Sequence, residues 1–292
     1  MPQIRRTARL RRAVLAAALA LGVATAVPMP ARAAGAPGSP GGEPEFAPIR
    51  SATVHPGVLL VTDGKGCTAN FVFTDAAGHY YLGQAAHCAS RGEPDNFNGC
   101  VDPVLPLGTE VTVAGAGVTG VLAYSSWHTM QRVSEPDPVT CRANDFALVR
   151  LPADATRVLN PSVPWFGGPV GLSTGSTGRG APSTGDFAYA YGNAPVRQGV
   201  GLLAPKHGLI LDRSDADWTY LVYFVTPVIP GDSGSGVLDE QGRALGVASS
   251  LIFVPHPASN GVVNLAKALA YAQQHSGIQG LRLVPGTESF TD

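Results

Sequence analysis

The chain has 292 residues, 45% of them hydrophobic and 14% charged, with a formal net charge of −1. That balance suits one large globular domain or two coupled ones and excludes an intrinsically disordered chain. With 36 glycines, 25 prolines and few helical patterns, it favours short strands joined by many turns over a helical bundle.

The first 33 residues read as an export signal. Arg5, Arg6, Arg9, Arg11 and Arg12 form a basic start, Ala13 to Val27 an apolar run, and Ala31-Arg32-Ala33 a small-x-small cleavage site. An apolar run of about 15 residues falls short of the roughly 20 that cross a bilayer as a helix. Cleavage is therefore expected, with secretion to the extracellular medium and no stable membrane insertion afterwards. The Arg11-Arg12 pair leaves both the general and the twin-arginine export routes open. Without this segment, fourteen basic residues face twenty-one acidic ones, a balance of about −7. That sign opposes phosphate backbones, so no nucleic-acid partner is expected. Export also means an oxidising compartment, in which Cys67, Cys88, Cys100 and Cys141 are expected to form two disulfides. They include no CxxC pair and no histidine partner at ligand spacing, so no metal and no cofactor is expected. The histidines at 55, 79, 128, 207, 256 and 275 form no ligand cluster and read as surface or packing residues.

Residues 34–50, Pro/Gly-rich over most of their length, read as a propeptide or flexible segment, and residues 51–292 as the folded part. Short runs rich in β-branched and aromatic residues follow at 58–61, 69–73, 80–83, 110–113 and 118–123. A second set lies at 187–191, 208–211, 220–225, 236–238 and 245–249. A break near 151–164 separates two halves of similar size. Only the end is helical in pattern: Asn264 is a suitable N-cap for Leu265 to His275, with Leu265, Ala268, Leu269 and Ala272 on one face and Gly277 to close it.

Three stretches carry chemistry. The turn Asp75-Ala-Ala-Gly-His79 separates two strand runs, and folding about Ala77 pairs positions summing to about 154. Cys67 then lies opposite His87 and Cys88. A Cys67–Cys88 bridge is natural in that hairpin and contributes roughly 3 kcal/mol by loop entropy; it also holds His87 beside a covalent staple. Asp145 stands immediately before the apolar run Phe146 to Leu151. In Gly231-Asp-Ser-Gly234, glycines on both sides of Ser233 allow a tight turn that presents backbone N–H groups. Each stretch alone also fits an ordinary turn serine, a hairpin histidine or a strand-start aspartate.

Together, in this order, they resemble the trypsin/chymotrypsin family of serine proteases, in its bacterial secreted branch. Gln84-Ala-Ala-His-Cys88 matches four of five positions of the family's histidine motif, Asn144-Asp-Phe-Ala-Leu-Val-Arg-Leu151 its aspartate motif, and Gly231-Asp-Ser-Gly234 its nucleophile motif. The resemblance spans roughly residues 55–275. It implies an all-β fold of two antiparallel six-stranded β-barrels, at about 51–160 and 161–263, with a C-terminal helix at about 264–276. It further implies a serine endopeptidase, monomeric, acting on proteins or peptides. Ser233 would be the nucleophile, His87 the general base, Asp145 its orienting partner, and the N–H groups of Gly231 and Ser233 the oxyanion hole.

The sequence also departs from that family. The position six before the nucleophile, at the base of the specificity pocket, is Pro227, so the acid that selects Arg or Lys is missing. Ser249 matches the first position of the pocket wall, Leu251 replaces a common Gly, and Gly261 falls on the opposite wall. A preference for small or medium apolar side chains is the expectation. No Ile-Val-Gly-Gly-like start lies near residues 45–60, leaving Asp232 either with an internal partner or as a plain turn residue. Cys100 and Cys141 pair by elimination. Two other classes compete. An α/β-hydrolase esterase requires Gly-x-Ser-x-Gly, which fails because position 235 is Ser. A catalytically silent binding protein on the same scaffold keeps the fold without the reaction.

Overall fold

The structure is a computed structural model that describes residues 45–92, 97–174, 181–197, 199–252 and 256–292. Residues 1–33, read above as an export signal, and residues 34–44 lie outside the described residues. Residues 45–50 are tied to the folded part: Phe46 packs edge-on against Tyr80, and Ala47 pairs with Leu159 and Asn160.

The first half contains strands β1 (Leu59–Thr62), β2 (Lys65–Thr68), β3 (Val72–Thr74), β4 (Tyr80–Gln84), β5 (Glu110–Val113) and β6 (Val118–Ser125). Two helices follow, α1 (Ser126–Val133) and α2 (Pro138–Ala143), and then β7 (Ala147–Arg150). The second half holds β8 (Phe187–Tyr191), β9 (Pro205–Ser214), β10 (Thr219–Phe224), β11 (Gly236–Asp239), β12 (Ala244–Ile252) and β13 (Ser259–Asn264). Helix α3 (Leu265–His275) and a final short strand β14 (Arg282–Leu283) complete the chain.

The second half is a closed six-stranded antiparallel barrel in the order β10-β13-β12-β11-β8-β9. The first half corrects the expectation of a second barrel. It is an open sheet of eight strands, β14-β3-β4-β7-β6-β5-β1-β2. The sequence run 69–73 becomes a strand only from Val72, where β3 starts; before it, β2 turns back on β1 and pairs Cys67 with Leu60. The outer edge of β3 is taken by β14, so the hydrogen-bonding groups that could close a barrel are already used. Helices α1 and α2 also lie outside the sequence reading, although their caps were visible. Ser125 accepts from His128 N, and Asp137 accepts from Val139 N and Thr140 N with proline next in line. Helix α3 begins at Asn264, whose side chain accepts from Ala266 N and Lys267 N. Among the described residues no helix is long and apolar enough to cross a membrane.

Alternation explains the cores. On β9 the residues Lys206, Gly208 and Ile210 face inward and their neighbours outward. Val222, Val237, Val262 and Phe224 fill the barrel, while Leu60, Leu82, Val111 and Val149 line the open sheet. A third cluster, including Phe71, Phe146, Val247 and Leu269, joins the two sheets to α3.

The β3–β4 hairpin folds in the register read from the sequence: Val72 faces Leu82 and Thr74 faces Tyr80. Asp75 holds its turn. One carboxylate oxygen accepts from Ala77 N and His79 N, both at 2.9 Å, and the other from Tyr81 Oη at 2.7 Å and His79 Nδ1 at 2.9 Å. Burial alone would raise this carboxyl, but the donors from His79 and Tyr81 outweigh it and hold the pKa down to about 2. A carboxyl depressed in the folded state contributes stability that is complete above its unfolded pKa near 4 and is lost as pH falls toward 2. The contribution is about 2 kcal/mol at neutral pH. Asp75→Asn is therefore expected to be about that much less stable than the wild type in urea at pH 7, and the two curves should converge near pH 2.

Candidate active site

The site is assembled from the Cys67–Cys88 region, the β7 approach and the loop before β11. Cys67 is bonded to Cys88, and Cys100 to Cys141. The 3-10 turn Ala86–Ala89 carries His87 between its buried neighbours Ala86 and Cys88. The sulfurs of Cys67 and Cys88 and the His87 ring have potential ligand atoms within 4.8 Å of one another. Both sulfurs are consumed in the disulfide, so the group offers a cation only one imidazole.

Asp145 is fixed from both sides by Ser126, the first residue of α1. Ser126 Oγ donates to Asn144 O at 2.7 Å and accepts from Phe146 N at 3.1 Å. The carboxylate then grips His87 twice: Oδ1 accepts from the His87 backbone N at 2.8 Å, and Oδ2 lies 2.7 Å from Nδ1. Ser249 Oγ donates to the same Oδ2. Burial alone would raise the Asp145 carboxyl, but the adjacent His87 and the donors from His87 and Ser249 hold it below the ordinary carboxylate range. An ionised Asp145 accepts only, so Nδ1 of His87 carries a proton; of the two neutral tautomers this is the one that leaves a lone pair on Nε2.

Ser249 was read from sequence as part of a pocket wall, and it does border the cleft. Its side chain, however, serves Asp145. The pairing of β12 with β13 slips between Ala248 and Ser250, leaving Ser249 as the extra residue of a bulge. Bulges redirect side chains in this way.

Ser233 and His87 line one cleft of about 650 Å³, together with Phe97, Val228, Ile229, Pro230, Ser250 and Leu251. Ser233 Oγ and His87 Nε2 make no hydrogen bond in this arrangement, a separation that substrate binding commonly tightens. The loop is built tightly. Thr68 N donates to Ser233 O, Thr68 Oγ1 to Gly231 O, and Gly234 N to Ala248 O. Gly231 and Gly234 have φ of 97° and 91°, a region costly for any residue with a Cβ. At position 234 a Cβ would also fall 2.4 Å from Thr68 O. The N–H groups of Gly231 and Ser233 have no acceptor among the described residues.

Of the residues read as a specificity pocket, Ser249 and Leu251 border this cleft. Pro227 and Gly261 do not. Pro227 O instead accepts from Arg197, and Gly261 faces a separate hollow bordered by Ser214 and Thr219.

Asp232 has partners that the sequence did not reveal. It is fully buried. Oδ1 accepts from Ala194 N at 2.9 Å, and Oδ2 accepts from Arg197 Nη2 at 2.8 Å and Ile229 N at 3.2 Å. Lys206 Nζ, also fully buried, lies 3.2 Å from the same Oδ2. Burial pushes the Lys206 ammonium below its ordinary pKa, Asp232 draws it up, and Arg197 pushes it down again. The signal was present in the alternation of β9, where Lys206 shares the inward face with Ile210. A lysine on that face requires an internal anion.

No protein-family model matches the chain, and no curated protein matches it in sequence. Solved structures do match. Thermobifida fusca Protease A is 18% identical, with 80% of this chain and 99% of that one covered and a TM-score of 0.49. Nocardiopsis Protease is 20% identical, with coverage of 79% and 98% and a TM-score of 0.45. Cellulomonas bogoriensis chymotrypsin is 18% identical, with coverage of 79% and 98% and a TM-score of 0.46. In its order of motifs and in these matches, the chain is similar to chymotrypsin-like serine proteases.

Proposed function

We propose that the protein is a secreted serine endopeptidase that cleaves peptide bonds through an acyl-enzyme formed on Ser233. The observation that carries this reading is the double grip of Asp145 on His87 at the mouth of the cleft that also holds Ser233. In the proposed reaction Ser233 Oγ attacks the scissile carbonyl while His87 Nε2 takes its proton. The carbonyl oxygen, now negative, is received by the N–H groups of Gly231 and Ser233. His87 then gives the proton to the leaving amine, and water repeats the sequence to release the acid. Asp145 stays ionised, orients the ring and stabilises the imidazolium.

The cleft borders carry no carboxylate among the described residues, and Val228, Ile229 and Leu251 give it apolar walls. This supports a peptidase that does not select Arg or Lys. The missing Ser233–His87 hydrogen bond favours the rival reading, a silent binding protein on the same scaffold. Asp145→Asn separates the two. For a peptidase, the amide can donate where the carboxylate accepted, so the wrong tautomer is favoured; kcat on peptide substrates should fall about 10⁴-fold with folding retained. Wild-type protein that cleaves no peptide, with Asp145→Asn indistinguishable from it, would support the silent scaffold.

A further inference from the structure

Two chain segments border the cleft: the approach to the nucleophile loop, Val228 to Gly231, and part of β12, Ser249 to Leu251. The first segment follows Pro227 and contains Pro230, belongs to no strand, and therefore has backbone groups that no sheet satisfies. Asn260 on β13 satisfies them. Its side chain is fully buried. Oδ1 accepts from Val228 N at 3.1 Å, and Nδ2 donates to Val228 O at 3.1 Å and to Ser250 O at 3.2 Å. One carboxamide thus pairs with Val228 as a neighbouring strand would and reaches across to Ser250 on the second segment. Val228, Ser250 and Leu251 border the cleft, whereas Asn260 does not; Asn260 holds backbone that borders it.

We infer that Asn260 is a specificity-determining residue. It braces the two walls of the cleft at a fixed spacing and closes the space between them, so that only a small apolar side chain of a peptide fits beside Ser233. Leu251, Val228 and Ile229 supply the apolar contact, and the brace sets the depth. The inference rests on the peptidase reading above and adds the substrate class and the residue that sets it. Neighbouring positions fit the same role. Gly261 leaves room for the side chain of Ser250, whose Oγ lies 2.5 Å from where a Cβ would stand.

A carboxamide is the group this geometry requires. It offers one acceptor and two donors in a plane, matching one N–H and two carbonyls. Aspartate would lose both donors, and alanine would take this partner from the buried N–H and C=O of Val228 and from Ser250 O.

The test is a series of peptide substrates differing only in the residue before the cleaved bond, alanine, valine, leucine, phenylalanine and arginine. It is run on the wild-type protein, on Asn260→Gly and on the milder Asn260→Ser, with fluorophosphonate labelling of Ser233 measured in parallel. The wild type should prefer alanine or valine over phenylalanine by at least about tenfold in kcat/KM. Loosening the brace should move the phenylalanine-to-alanine ratio upward by at least about tenfold, while the labelling stays measurable. Asn260→Ser should lie between the two, so the ordering remains readable if Asn260→Gly does not fold. A labelled wild type that prefers phenylalanine or arginine would overturn this inference alone. So would variants that lose activity equally on every substrate. A folded wild type that neither labels nor cleaves would overturn the peptidase reading and this inference with it.

Discussion

Asp232→Asn is expected to lower stability by about 3–5 kcal/mol and to remove peptidase activity. The carboxylate is fully buried and answers two cations, Arg197 at 2.8 Å and Lys206 at 3.2 Å. Removing the anion from such a cluster leaves buried positive charge without compensation, and that is the expensive way to break an ion pair. The same change loosens the loop that presents Ser233, since Asp232 also receives Ala194 N and Ile229 N. Lys206→Met is expected to behave quite differently. The ammonium has no well-directed hydrogen bond, and its burial works against its charge, so an apolar side chain of similar length should be neutral or mildly stabilising. Arg197 would still answer Asp232. Urea unfolding of the two variants beside the wild type checks the contrast; equal midpoints for Asp232→Asn and the wild type would contradict it.

The second large effect concerns the chemistry. Ser233→Ala and His87→Ala are each expected to lower kcat on peptide substrates by about 10⁶-fold, and the double variant by little more. The non-additivity follows from the roles. A serine hydroxyl without a base is a poor nucleophile, and a base without a nucleophile has nothing to activate. Residual activity would come from the Gly231 and Ser233 N–H groups and from binding. Neither substitution removes a core side chain or the Cys67–Cys88 bond, so unfolding curves should stay close to that of the wild type. Single-turnover kinetics on an activated ester and on an amide would show whether the acyl step is the one lost.

Much of this architecture is legible in residue order. Val, Phe and Tyr runs with period-two burial place most strands within a few residues. The hairpin sum of 154 sets the register that Val72 and Leu82 adopt, and the side chain of Asn264 starts α3 where its capping chemistry requires. The open first sheet was not legible. Its departure depends on β14, a two-residue strand with no propensity of its own, occupying the edge of β3. Local signals are weakest for such short elements, which take their conformation from a neighbour.

The candidate site divides in the same way. His87, Asp145 and Ser233 could be read because each stands in a compact motif. Ser249 was found for one reason and is used for another, because a one-residue bulge turns it onto Asp145. Arg197, Lys206 and Asn260 act across 26 to 35 positions of sequence on Asp232 and Val228. No spacing rule links such partners. What could have raised one of them is polarity in the wrong place: a lysine on the inward face of β9.

The measurement that tests the central claim most directly is labelling of the folded, disulfide-bonded protein by a fluorophosphonate, with the modified residue located by peptide mass spectrometry. An activated nucleophile predicts one adduct, on Ser233, lost in Ser233→Ala and sharply slowed in His87→Ala and Asp145→Asn. A folded protein that takes up no label, or labels equally well without His87, would contradict it.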